Sequence, residues 1–157
     1  MKKLNYVLFS ILLPFFVNAQ FTFHNPDQSA YQVREVVVEN NQVTFLTKGD
    51  SVLCTFSGSN WSYYNMNKPF SSTSSNDLAV DNNGNYWMGY YNGLAKYDGA
   101  TLTEYTTSNA GMKNNYVKSI AFDNNNVGYV SHGSHGISML SNNNWTHNPN
   151  FTGSLLH

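Results

Sequence analysis

Residues 81–98 read DNNGNYWMGYYNGLAKYD. Asp81-Asn82-Asn83-Gly84-Asn85 is a run of turn formers, and Tyr86 to Gly89 is a short apolar run. A second interruption at Tyr90-Tyr91-Asn92 precedes a third run, Gly93 to Tyr97, which Asp98-Gly99 closes. Residues that accept positive φ, set between short apolar runs, are the signal of consecutive β-hairpins. Outward from this stretch the same phrase returns on both sides. Glu39, Asp81 and Asp123 stand 42 residues apart, as do Phe45, Trp87 and Tyr129. Val36, Leu78 and Ile120 keep that step, and so do Val38, Val80 and Phe122. Four columns in register define a repeat.

A repeat of this length with four short strands matches one blade of a β-propeller. The expected fold is therefore all-β, with three repeats of four antiparallel strands. Blade 1 is expected over 33–74, blade 2 over 75–116, and blade 3 with the start of the next link over 117–157. In blade 1 the strands are Val36-Val37-Val38, Val43 to Thr47, Val52 to Phe56 and Trp61 to Tyr64. In blade 2 they are Leu78-Ala79-Val80, Tyr86 to Gly89, Gly93 to Tyr97 and Leu102 to Tyr105. Blade 3 repeats the plan through Ile120, Tyr129, Ile137 and Trp145. Residues 20–32 hold one more short strand, Phe21 to Asn25, placed to close a ring. A propeller closes with about four to eight blades. Three repeats and one strand read as an incomplete propeller, the front part of a longer protein. The other options are closure by self-association, or a product that folds poorly.

The first 19 residues stand apart. Lys2-Lys3, an apolar run from Tyr6 to Val17 and the small residues of Val17-Asn18-Ala19 make a secretory signal peptide, cut between Ala19 and Gln20. That run is about a dozen residues, short of the roughly 20 that a spanning helix needs. No stable membrane insertion is expected after cleavage, and the location is exported: periplasm, cell surface or secreted. The net charge is −1 and charged residues are 11%. With no basic run to follow phosphates, nucleic acid is not an expected partner. Cys54 is the single cysteine, so there is no disulfide framework, and its strand setting suggests an inert thiol.

At these residues the chain resembles the two-component regulator propeller repeat, a family of bacterial extracytoplasmic β-propellers. The matching phrase is Val80-Asp81, Asn83-Gly84, Trp87-Met88-Gly89, Gly93-Leu94, Tyr97, Asp98-Gly99 and Tyr105. Leu102 stands where the family has a closing Trp, Tyr129 replaces Trp87, and the first repeat lacks most of the glycines. The resemblance implies a propeller outside the cytoplasm, in the sensor half of a membrane kinase or in a secreted or surface protein. It implies ligand recognition or dimeric signalling and no catalysis by the propeller.

Each chemical constellation has a plainer counterpart. His132 and His135 flank a glycine-rich loop, but no cysteine or carboxylate lies near them in sequence, so no metal is expected. The Asp81 loop resembles the opening of a calcium loop, yet its slot in the first repeat reads Glu39-Asn40-Asn41-Gln42, which favours a hairpin turn. Asp98, Glu104 and Asp123 show no pairing that suggests acid–base chemistry. No Gly-x-Ser-x-Gly elbow frames a nucleophile. Trp87 belongs to a strand column and reads as core. Tyr90, Tyr91 and Asn92 in one loop, with Lys113, Asn114 and Asn115 in the inter-blade link, should open on one propeller face with His132 and His135. Loops on a rigid scaffold are where blades collect binding residues.

The reading is thus an exported, non-enzymatic binding or sensor module without a cofactor. Its ligand is a glycan, peptide or protein met through Tyr90, Tyr91, Asn92, Lys113, Asn115, His132 and His135. The alternative is a structural or adhesive segment of a larger surface protein. An extracellular lyase or hydrolase is the third reading.

Overall fold

The computed structural model describes residues 33–39, 41–47, 52–57, 60–65, 69–71 and 75–147. The export segment, the strand expected at Phe21 to Asn25 and residues 148–157 lie outside these. The described residues form three four-stranded antiparallel sheets, each a meander in sequence order. Sheet 1 holds β1 (Val33–Glu39), β2 (Gln42–Thr47), β3 (Val52–Ser57) and β4 (Asn60–Asn65). Sheet 2 holds β5 (Ser75–Val80), β6 (Tyr86–Tyr90), β7 (Leu94–Tyr97) and β8 (Leu102–Tyr105). Sheet 3 holds β9 (Ser119–Phe122), β10 (Gly128–Ser131), β11 (Ile137–Ser141) and β12 (Asn144–His147). These are β-propeller blades, as the repeat predicts.

Turn chemistry makes the hairpins. Asp81 Oδ1 accepts the backbone N–H groups of Asn83 and Asn85, both at 2.9 Å. One repeat on, Asp123 Oδ1 accepts those of Asn125 (2.9 Å) and Val127 (2.8 Å). A carboxylate that takes the amides two and four residues on holds the β5–β6 and β9–β10 connections in one shape. Between β11 and β12 the two turn residues Asn142 and Asn143 have φ of 48° and 63°. Those angles suit a primed turn, and asparagine tolerates them better than most side chains.

Adjacent sheets meet through apolar layers. Leu46 and Leu53 of sheet 1 pack with Leu78, Met88, Tyr90 and Ala95 of sheet 2. Trp87 and Leu94 of sheet 2, with Met112 of the link, pack against Val117, Ile120 and Val130 of blade 3. Burying each large side chain contributes about 1.5–3 kcal/mol relative to exposure. Polar bonds then fix the angle between sheets 2 and 3. Asp77 Oδ2 accepts the Ile120 N–H at 2.7 Å, and Asn76 Nδ2 donates to the Val117 carbonyl at 2.8 Å.

One repeat column breaks. Trp87 faces sheet 3, but Phe45, its counterpart by the 42-residue step, shares a face with Val36 and Val38. The cause is turn length. Val80 pairs with Tyr86, whereas Val38 pairs with Val43, so the first hairpin is one residue shorter. A one-residue slip turns every following side chain to the other face of the sheet. Phe45, Phe56, Trp61 and Tyr63 therefore cluster on the side of sheet 1 away from sheet 2, with Phe56 and Trp61 centroids 4.7 Å apart. Cys54 lies half-buried on that face, and burial pushes its thiol pKa up.

Candidate functional site

The β6–β7 loop (91–93), the β8–β9 link (106–118) and the β10–β11 loop (132–136) all leave the same end of sheets 2 and 3. This is the loop face expected from sequence. The structure separates the two tyrosines assigned to it. β6 runs one residue further than expected, and Tyr90 N–H donates to the Gly93 carbonyl at 2.8 Å. Strand alternation turns its side chain inward, where it is only 3% exposed and its ring lies 5.7 Å from that of Phe70. Burial pushes the Tyr90 hydroxyl pKa well up, with the Glu104 charge adding to the shift. Tyr90 is a core residue, so its ring offers nothing for a ligand to stack on. Tyr91 points the other way and is 70% exposed. Its ring is tilted 49° to that of Tyr116 at 5.2 Å. Tyr116 in turn lies against Gly133, where an added Cβ would come within 3.2 Å of its ring.

Tyr116 is joined through its carbonyl to a polar chain centred on two buried residues, His132 and Ser138. His132 Nδ1 lies 3.1 Å from the Tyr116 carbonyl, and Nε2 lies 2.8 Å from Ser138 Oγ. A carbonyl can only accept, so Nδ1 carries the proton, and Nε2 of the neutral ring accepts the Ser138 hydroxyl. Ser138 Oγ then accepts the Lys113 backbone N–H at 3.1 Å and His147 Nδ1–H at 3.2 Å. Its donor and both lone pairs are occupied. Burial holds the His132 pKa below the ordinary histidine value. The Tyr116 carbonyl opposes this, while His147, His135 and Lys113 add to it. A histidine accepting a serine proton is half of a nucleophilic dyad. Here both residues are completely buried, so the pair ties the link to β11 and β12.

The other expected residues divide in the same way. Asn115 Oδ1 accepts the Thr107 N–H at 2.7 Å and so shapes the link. Asn114 does likewise for the Tyr116 N–H, at 2.8 Å. His135 is exposed, and its Nδ1 lies 3.3 Å from the His132 carbonyl. Asn92 and Lys113 are exposed. Nothing in the sequence spacing of Tyr116, Ser138 and His147 ties them to His132. Trp87 is core as expected, with its indole N–H on Asp81 Oδ2 at 2.9 Å. Among the described residues no group of three His, Cys, Asp or Glu side chains could hold a metal. Nor is any helix among them long and apolar enough to cross a membrane.

No protein-family model matches the chain, and no curated protein matches it in sequence. Solved structures do match in fold. The extracellular domain of a B. thetaiotaomicron protein assigned to a one-component system is 20% identical, with a TM-score of 0.57 over 82% of this chain. An extracellular domain assigned to a hybrid two-component system of the same organism is 25% identical, with a TM-score of 0.54 over 75% of the chain. Virginiamycin B lyase from Staphylococcus aureus, solved with quinupristin, is 15% identical, with a TM-score of 0.61 over 82% of the chain. The chain spans 17%, 16% and 45% of those three proteins. It is thus similar to two-component regulator propellers in fold, and the same fold also houses a lyase.

Proposed function

We propose that the chain is part of an exported, non-catalytic β-propeller that recognises a ligand through the loop face of blades 2 and 3. The observation that carries this is Tyr91, an exposed aromatic ring held by Tyr116 over a fully hydrogen-bonded base. Rigid, partly exposed aromatics on preorganised loops are what glycan and peptide ligands stack on, because little side-chain entropy is lost on binding. Asn92, Lys113 and His135, exposed on the loops of the same face, would add polar contacts, while His132 and Asn115 position the loops. Similarity in fold to extracellular sensor domains supports the same reading. The test is titration of the chain with a panel of soluble glycans and peptides. Saturable binding should weaken about tenfold in Tyr91→Ala and stay unchanged in Tyr90→Phe. A panel with no saturable binder would sink the proposal.

A lyase or hydrolase has one observation in its favour, the Ser138–His132 hydrogen bond. That reading requires solvent to reach Ser138, which is buried. Turnover of any panel member that Ser138→Ala abolishes would establish it over the binding module.

A further inference from the structure

At the end of the strands opposite the loop face, sheets 2 and 3 part around a cavity of about 260 Å³. Asp81, Trp87 and Lys96 line it from sheet 2, and Phe122, Asn126 and Leu140 from sheet 3. Asn83, Asn142 and Asn143 complete the rim. At the matching end of sheets 1 and 2, described side chains bridge the two sheets. There Gln42 Nε2 donates to the Tyr86 hydroxyl at 2.7 Å, and the Tyr64 ring lies 5.9 Å from that of Tyr97.

Four carboxamides converge on the open cavity. Positive φ accounts for an asparagine at 126, 142 and 143, but glycine would serve those turns equally well. Asn83 has no such φ, and its turn bond comes from the backbone N–H. Within the described residues the side chains of Asn83, Asn142 and Asn143 make no hydrogen bond. Asn126 spends only Oδ1, on the Asn82 N–H, which leaves its NH₂ group unused. These groups together offer several donors and acceptors at one rim.

The charges narrow the ligand. Asp81 cannot serve a cation, because each of its carboxylate oxygens already accepts two N–H donors. Lys96 is different. Its ammonium lies 5.6 Å from the Trp87 ring centroid and makes no ion pair among the described residues. Asp98 feels its charge, but that carboxylate is bound to the Ala100 and Thr101 amides. An unpaired ammonium beside free carboxamides suits an anionic polyol. The volume falls just below the ~300–1,000 Å³ of pockets for drug-sized ligands, which is room for about one ring.

We propose that this cavity binds a single acidic sugar. Its vicinal hydroxyls meet Asn83, Asn126 and Asn143, and its carboxylate meets Lys96. The site is separate from the loop face and stands whether or not that face binds a ligand.

The test is a ¹H–¹⁵N titration of the chain with D-glucuronate, D-glucose and acetate, followed at the Trp87 indole N–H. Glucuronate should give a saturable shift, glucose should bind about tenfold more weakly, and acetate should not saturate. Lys96→Met, Asn83→Ala and Asn143→Gly should each weaken glucuronate about tenfold. Glycine at 143 accepts the positive φ of that turn, so this variant removes the carboxamide without backbone strain. Tyr91→Ala should leave glucuronate affinity unchanged. No saturation by glucuronate at ~50 mM overturns the proposal. So does an unchanged affinity in Lys96→Met and Asn143→Gly, or equal affinity for glucose and glucuronate.

Discussion

Asp81 is 3% exposed, and its carboxylate takes the amides of Asn83 and Asn85, the Asn85 carboxamide and the Trp87 indole. Burial alone would raise its pKa, but the combined hydrogen bonds outweigh burial and hold it below the ordinary carboxylate range. The ionised form therefore stabilises the fold above the unfolded value near ~3.9, and this is lost as pH falls through the lower folded value. Asp81→Ala would strand the buried indole N–H and open the turn. The expected loss is about 2–4 kcal/mol in urea unfolding. His132 carries the opposite proton logic. Its folded pKa is depressed, so the unfolded chain takes up a proton near pH ~6.5 while the folded chain does not. Thermal stability should fall as pH drops below about 6.5 and stay flat above it, and His132→Gln should flatten that slope.

At the scale of the element, close approach between blades depends on glycine in β6. A Cβ at Gly89 would lie 2.7 Å from Val117 Cγ1, inside the layer between sheets 2 and 3. Gly89→Ala should cost about 1–3 kcal/mol by thermal or urea unfolding, because a packed layer does not yield without shifting its neighbours. Gly84, with φ of 79° and open space around it, should behave differently. There alanine meets only backbone strain, about 1 kcal/mol, and leaves the sheet contacts intact. β1 and β2 show how little separates one packing from another. A turn one residue shorter moves Phe45 to the face where Val36 and Val38 are 54% and 67% exposed, and brings Leu46 and Leu53 to face sheet 2.

At the scale of the molecule, sheets 2 and 3 act as a coupled pair through Asp77, which binds both its own strand at Leu78 N–H and the next blade at Ile120 N–H. Asp77→Ala should speed hydrogen exchange of the Ile120 amide by about tenfold while exchange in sheet 1 stays unchanged. The blade plan was legible in the chain because hairpin turns and strand periodicity are local. The Asp and Gly positions and the alternation of apolar residues each act within a few residues, the 42-residue step shows the same local plan used again, and together they determined the all-β fold and the strand order. The loop face followed from strand direction, and with it the places of Tyr91, Lys113 and His135. What the tertiary structure decided was which side of a strand a residue faces and what meets it from the next blade. Tyr90 became core because β6 continues one residue before its loop. His132 became a positioning group because Tyr116 and Ser138 reach its ring from two other elements, with His147 bonded to Ser138 behind them. Asn83, Asn126, Asn142 and Asn143 read in sequence only as turn formers, and they share one cavity because two twisted sheets part there. Such meetings depend on the packing of distant segments, and no local pattern encodes them.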